Sequence, residues 1–244
     1  MLSLKEVPPI PEKISEQKVI VYKSRVDPTI VKLTAEKMKH KLFVKFGFSK
    51  HKADEIRVVS VDKYYEPYVL VDANYSVLYF KKKVFTFDVE PETDEVKLFG
   101  ESYRPEIVAS SSVDGGAPHK VVRLEAELWS SYNDKAYLVF DKEGKEVPPD
   151  QVPAAPSEDH PEKILNEFGK KSGMVEVSPQ KEVNLVKARL VKRPSDAAKI
   201  EDELFQISEY AVIYSPVFEI TFRNVVTGDE KVVKIDGVTA KIMA

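Results

Sequence analysis

Short runs of β-branched and aromatic residues, separated by charged or small residues, dominate the chain between residues 56 and 99. Runs this closely spaced leave no room for the long crossovers that parallel strands need, so we predict antiparallel neighbours. The pattern predicts a meander of about four or five strands. The predicted strands are Ile56–Val61, Tyr68–Val71, Tyr75–Phe80, Val84–Val89 and Glu95–Phe99.

A segment with apolar residues at helical spacing precedes this meander. Asp27 followed by Pro28 is typical of a helix start, with an N-cap and then proline in the first turn. The apolar residues that follow recur at helical spacing, and Gly47 and Ser49 end the pattern. They are Val31, Ala35, Met38, Leu42 and Phe46. We expect this helix to cover one face of the sheet.

The rest of the chain repeats the mixture of helix and strand. A long loop is predicted over 103–118, with strands at 120–128 and 135–140. A short helix over 161–171 follows, then strands at 174–177 and 183–191 and a helical turn near 195–203. The predicted C-terminal meander consists of 204–214, 217–223 and 231–235, with a turn at Thr227-Gly228-Asp229.

Five prolines between residues 147 and 161 predict a stiff, extended connector. The fold class is therefore predicted to be α+β and β-rich, with two helix-plus-antiparallel-meander modules joined by a Pro-rich connector. The predicted boundaries are an extended N-terminal arm over 1–25, an α+β domain over 26–146, the linker over 147–161 and a smaller α+β domain over 162–244.

A faint internal repeat fits two such modules. Tyr65-Glu66-Pro67 and Tyr214-Ser215-Pro216 share a Tyr-x-Pro motif followed by a strand-like run. Residues 212–241, with this motif, a Thr-Gly-x-Glu-Lys hairpin and a closing Ile-Asp-Gly-Val-Thr, resemble the small β-meander repeats of PepSY-like domains. Ala240 departs from that pattern, where glycine is usual. The resemblance implies no function.

The composition indicates the kind of source organism and excludes several kinds of site. The chain has 244 residues, no Cys and a formal net charge of −3, and lysine, glutamate and few amides favour a thermophilic, archaeal-like source. The absence of Cys excludes disulfides, thiol nucleophiles and thiolate metal sites. No secretory leader or membrane-spanning run is recognisable, so we expect a cytoplasmic protein.

Catalytic motifs are missing from the sequence. No phosphate-binding glycine loop, dinucleotide fingerprint or nucleophile elbow is present, and the four His have no metal-ligand spacing. The carboxylates near 90–95 and 158–159 flank turns, where solvent keeps both members ionised. We predict no catalytic, cofactor-binding or metal-binding residues. An enzyme whose site is assembled from scattered acids and tyrosines remains a third hypothesis.

The leading hypothesis is a non-catalytic interaction or assembly protein, which binds protein partners or itself through strand edges and aromatic surface. A homo-oligomer fits this hypothesis. The candidate interaction residues are Tyr64, Tyr65, Tyr68, Tyr79, Trp129 and Tyr214.

The alternative is a nucleic-acid- or ribosome-associated protein. Residues 1–60 carry a net charge of +6, residues 61–160 carry −9, and the remainder is neutral. A cationic N-terminal region either binds phosphates or packs against the acidic middle. The candidate nucleic-acid-binding residues are Lys32, Lys37, Lys39, Lys41, Lys45, Lys50 and Lys52.

Overall fold

A computed structural model describes residues 8–42, 53–108, 119–168 and 179–243. The described part of the chain is mostly strand, with largely antiparallel sheets and a smaller share of helix, so the prediction of a β-rich α+β protein is confirmed. The strands are β1 (Glu12–Ile14), β2 (Gln17–Val21), β3 (Ile56–Val89), β4 (Val96–Leu98), β5 (Glu101–Tyr103), β6 (Glu106–Val108), β7 (His119–Phe140), β8 (Glu146–Val147), β9 (Lys199–Asn224), β10 (Glu230–Asp236) and β11 (Ile242–Met243).

Three α-helices lie in the described part of the chain: α1 (Pro28–Leu42), α2 (Pro161–Phe168) and α3 (Pro179–Leu190). The predicted start of α1 is confirmed, because the Asp27 carboxylate accepts a hydrogen bond from the Thr29 backbone N–H at 2.7 Å. The prediction of a strand over 183–191 is wrong. Val183, Val186 and Leu190 are spaced for one helix face, and that face is buried.

Several predicted strands are parts of single long strands. β3 runs without interruption through Asp72-Ala73-Asn74 and Lys81-Lys82-Lys83, where turns were predicted. Neither triplet contains glycine or proline, so nothing in its backbone chemistry enforces a reversal. The strands predicted at 120–128 and 135–140 likewise merge into β7. β9 begins at Lys199, so the predicted helical turn there is wrong.

Nine of these strands form one sheet. Six of them follow the order β11-β10-β9-β3-β7-β6, while β1 and β2 also pair with β9 and β8 also pairs with β7; β4 pairs with β5 separately. The edge of β9 is covered by three further segments of the chain, one after another. β1 pairs in parallel with residues 205–207 and β2 with 210–214, while β10 pairs antiparallel with 217–223. The outer edge of β7 is paired only near its two ends, with β6 at 119–121 and with β8 at 139–140.

The described chain divides into two compact units, which we call unit A and unit B. Unit A holds residues 75–134, 192–204 and the N-terminal segment up to residue 11, and unit B holds 12–74, 135–191 and 205–244. β3, β7 and β9 each contribute one stretch to each unit. Each unit combines segments from distant parts of the chain, because neighbours in the sheet are distant in sequence. The domain boundaries at 25, 146 and 161 stay predictions.

The core of unit B lies between its strands and its helices. α1 contributes Val31 and Ala35 to a cluster with Phe218, Ile220 and Phe222. α2 packs Phe168 against a second cluster that contains Tyr65 and Tyr214. The Pro-rich segment is part of this packing, since Val152 contacts a third cluster and Ser157 forms a bridge with Tyr22.

Candidate functional site

The outer edge of β7 is the most distinctive feature of unit A. β3 lies along one edge of β7, and on the other edge β6 ends its pairing at Val121. Among the described residues no strand of unit A pairs with the outer edge over 122–134, and we call this stretch the β7 edge. An unpaired strand edge presents a row of N–H and C=O groups to an incoming strand.

The two faces of the β7 edge differ in exposure. Leu124, Ala126 and Leu128 are half-buried and belong to one face, as alternation along a strand requires. The opposite face is exposed and carries Arg123, Glu125, Glu127, Trp129, Ser131 and Asn133. This period of two is visible in the sequence, but its position at an edge is not.

Trp129 is the only tryptophan of the chain, and 54% of its surface is exposed. Its ring lies against Phe80 of β3, with 5.3 Å between ring centroids and an interplanar angle of 36°. Leu78 and Val84 of β3 are also exposed. An aromatic pair with an open face is the kind of anchor that protein interfaces use.

Charge on the exposed face is unbalanced. Arg123 pairs with Glu106 of β6 at 3.6 Å. Glu125 and Glu127 have no cation of the described residues within 4 Å. Of the nearby lysines of β3, Lys81 pairs with Asp196 at 2.8 Å and the Lys83 ammonium lies 4.8 Å from the Phe85 ring centroid. Lys82 is exposed on the same face as Phe80, but it lies more than 4 Å from both glutamates and forms no ion pair with them.

Unit A contains a largely buried ionic cluster around Glu203. Arg193 Nε and Nη2 donate to both carboxylate oxygens of Glu203 at 2.5 to 3.0 Å, and Nη2 also donates to the carbonyl of Pro8 at 2.8 Å. The Tyr75 hydroxyl donates to the same carboxylate at 2.7 Å. The pKa of Tyr75 is raised by burial and by this hydrogen bond. Because every member of the cluster has a hydrogen-bond partner, we assign the cluster a structural role.

Most predicted interaction residues lie inside unit B. Tyr65, Tyr68 and Tyr214 are buried, with exposed fractions of 0%, 5% and 7%. Tyr64 is partly buried, with the Lys234 ammonium 5.5 Å from its ring centroid, and Tyr79 of unit A is half-buried. Trp129 alone among the six is exposed. The sequence could not separate them, because tyrosines in a strand serve a core and a surface equally well.

Burial raises the pKa of these tyrosines. Burial raises the pKa of Tyr65 to about 12, and the negative charges of Glu158 and Glu167 add to the effect. The pKa of Tyr68 is raised by burial and by Glu66, whose carboxylate accepts a hydrogen bond from the Tyr68 hydroxyl at 3.4 Å. At neutral pH both phenols are protonated, so both rings act as packing groups, and Tyr68 also donates a hydrogen bond.

Few of the predicted nucleic-acid-binding lysines can be placed. Lys32 and Lys37 are exposed on α1, and Lys39 pairs with Glu36 at 2.5 Å. The side chain of Lys41 and the whole of Lys45, Lys50 and Lys52 lie outside the described residues. The nucleic-acid hypothesis therefore stays a prediction.

Unit B contains a cavity of about 390 Å³ beneath the turn that follows β10. Its wall combines apolar side chains with one lysine and five acids, which are Glu66, Asp141, Glu143, Asp150 and Asp236. Lys142 and Lys234 lie 3.5 and 3.9 Å from Glu66 and offset part of this charge. The lining favours a cationic group over an anionic one. Within the described residues no three acids or histidines are arranged to hold a metal ion.

None of the helices in the described part of the chain is both long enough and apolar enough to cross a bilayer. No protein-family model matches the chain, and no match was found among curated proteins or solved structures. The resemblance of residues 212–241 to PepSY-like repeats therefore assigns no family.

Proposed function

We propose that this protein is a non-catalytic interaction protein that receives an extended segment of a partner along the β7 edge. One contrast carries the proposal. The chain covers the edge of β9 with β1, β2 and β10 in succession, whereas the described chain leaves the β7 edge without a strand. Natural proteins cover or blunt a long edge unless pairing is its use.

The energetics of strand addition support this role. An added strand satisfies backbone donors and acceptors along the edge, each hydrogen bond adding about 0.5–1.5 kcal/mol net. Side chains of the added strand lie beside those of the edge strand, which provides selectivity. The exposed Trp129–Phe80 pair offers a large apolar contact within this footprint.

The edge can be tested with prolines at two adjacent positions, Ser130 and Ser131. Successive N–H groups of a strand point to opposite edges, so one proline removes a hydrogen bond to β3 and the other removes an outward-facing donor. We expect one variant to lose thermal stability and the other to keep it. The stable variant should no longer bind.

Binding is measured with the full chain and peptides selected from a random display library. Because Trp129 is the sole tryptophan, its fluorescence reports binding at this place, and amide hydrogen exchange locates the contact. Protection of alternate amides within 122–134 is expected. Selected peptides that protect other residues, or a stable proline variant that binds normally, would contradict the proposal. A dimer in light scattering with the same protection indicates that the partner segment is a second copy.

A further inference from the structure

We infer that the partner segment is a strand in which cationic residues alternate with apolar residues. The inference rests on the proposed function, because it concerns what lies beside the β7 edge once a strand is added. Side chains directly opposite each other on one face of neighbouring strands are close enough to interact. The composition of each face of the β7 edge therefore selects the residues of the partner.

The exposed face selects positive charge. Glu125 and Glu127 are two residues apart and lie on the same face. Neither has a cationic partner within the described residues, and Arg123 beside them is paired with Glu106. A lysine or arginine opposite each glutamate removes this imbalance, whereas an acidic segment increases it. Next to Trp129 the same face offers an apolar and cation-binding ring.

The other face selects apolar side chains. Leu124, Ala126 and Leu128 are half-buried, so part of each side chain still contacts water. In an added strand whose cationic residues lie on the exposed face, the intervening residues lie on this face. Aliphatic residues at those positions would cover Leu124, Ala126 and Leu128. A segment with lysine or arginine on one face and valine, isoleucine or leucine on the other therefore satisfies both faces together.

A second copy of β7 satisfies the charges less well, since even a pairing centred on Ser130, which sets Glu125 opposite Lys135, leaves Glu127 opposite Asn133. In an antiparallel pairing centred on Trp129, Glu125 lies opposite Asn133 and Glu127 opposite Ser131, so neither meets a cation. Centred on Glu127, the pairing sets Glu127 of one copy against Glu127 of the other and Glu125 against Trp129. A pairing of Arg123 with Glu125 extends over Val121, which is already paired with Glu106 of β6.

The test uses the sequences of the display-selected peptides that protect the β7 edge. We expect lysine or arginine at alternate positions, and replacing each by glutamine should weaken binding about threefold, as expected for exposed ion pairs. Replacement by glutamate should weaken it further. Binding of the basic peptides should fall with added salt, because salt screens exposed charges.

The matched protein variants are E125Q/E127Q and the control E92Q/E95Q, which changes the net charge equally at exposed residues outside the β7 edge. We expect the first variant to lose the preference for lysine over glutamine and the control to keep it. Edge-binding peptides without basic residues, or an unchanged preference in E125Q/E127Q, would overturn this inference and leave strand addition standing. Failure to select any peptide that protects the β7 edge would overturn both, and a dimer that excludes the peptides would identify a second copy as the occupant.

Discussion

Tyr65 and Tyr214, which begin the two Tyr-x-Pro motifs, belong to the same hydrophobic cluster of unit B. Tyr65 is in β3 and Tyr214 is in β9, and these strands are neighbours in the sheet. The cluster also contains Val21 and Val212, with Phe168 of α2 against it. The repeated motif therefore places both tyrosines in one buried core.

The hydroxyl of Tyr65 is buried without a hydrogen-bond partner among the described residues. We expect Tyr65→Phe to be as stable as the wild type or more stable by up to about 1 kcal/mol, because an unsatisfied polar group is removed. Tyr65→Ala should cost about 3–5 kcal/mol through the cavity it leaves. Urea denaturation measures both. A large loss in Tyr65→Phe would reveal a partner for the hydroxyl.

The buried tyrosines predict sensitivity to base. Burial raises the pKa of Tyr65 and of Tyr210 to about 12, above the ordinary value of 10.0. Between these values the unfolded chain releases protons that the native protein retains, so the free energy of unfolding should fall as pH rises above 10. Below pH 10 both states are protonated and this dependence disappears.

The measurement is the urea midpoint from about pH 9 to about pH 11. The variant Y65F/Y210F has fewer raised phenols, so its stability should fall less steeply than that of the wild type. Parallel curves for the two proteins would show that these phenols do not cause the decline.

The Arg193–Glu203 pair should be essential to unit A. Glu203 has a side-chain exposure of 5%, so Arg193→Met leaves a buried carboxylate without its cation. We expect a loss of about 3–5 kcal/mol, read by thermal denaturation. Tyr75→Phe removes one hydrogen bond to the same carboxylate and should cost less, about 1.5–3 kcal/mol. The idea fails if the methionine variant melts like the wild type.

Gly237 allows the turn after β10 to approach Pro216. A Cβ atom at this position would lie 2.7 Å from the Pro216 carbonyl oxygen, whose hydrogen bond from the Gly237 N–H is also 2.7 Å. Gly237→Ala should cost about 1–3 kcal/mol, since the backbone must shift. Gly228→Ala is the control: it meets open space, and its φ of +78° should cost about 1 kcal/mol. Equal losses in urea denaturation would remove the steric explanation.

Local chemistry predicted the elements that depend on it. The Asp27-Pro28 start of α1, the short helix α2 and the turn around Gly228 are set by residues a few positions apart, and all three occur as expected. The other predictions failed because strand pairing is long-range: a charged triplet such as 81–83 continues a strand whose neighbours in the sheet, β7 and β9, are distant in sequence. Ala240 is instructive, since it adopts a φ of 62° where the resembled repeats carry glycine.

The sequence by itself determined a β-rich chain without thiol chemistry, its capped helix and the alternation of residues 123–133. Those properties follow from residue type and spacing within one segment. Only the tertiary structure decided which tyrosines are core, that β1, β2 and β10 cover β9, and that within the described chain the β7 edge of unit A has no strand beside it. Burial and strand neighbours depend on segments far apart in the chain, and no local pattern encodes which of them meet.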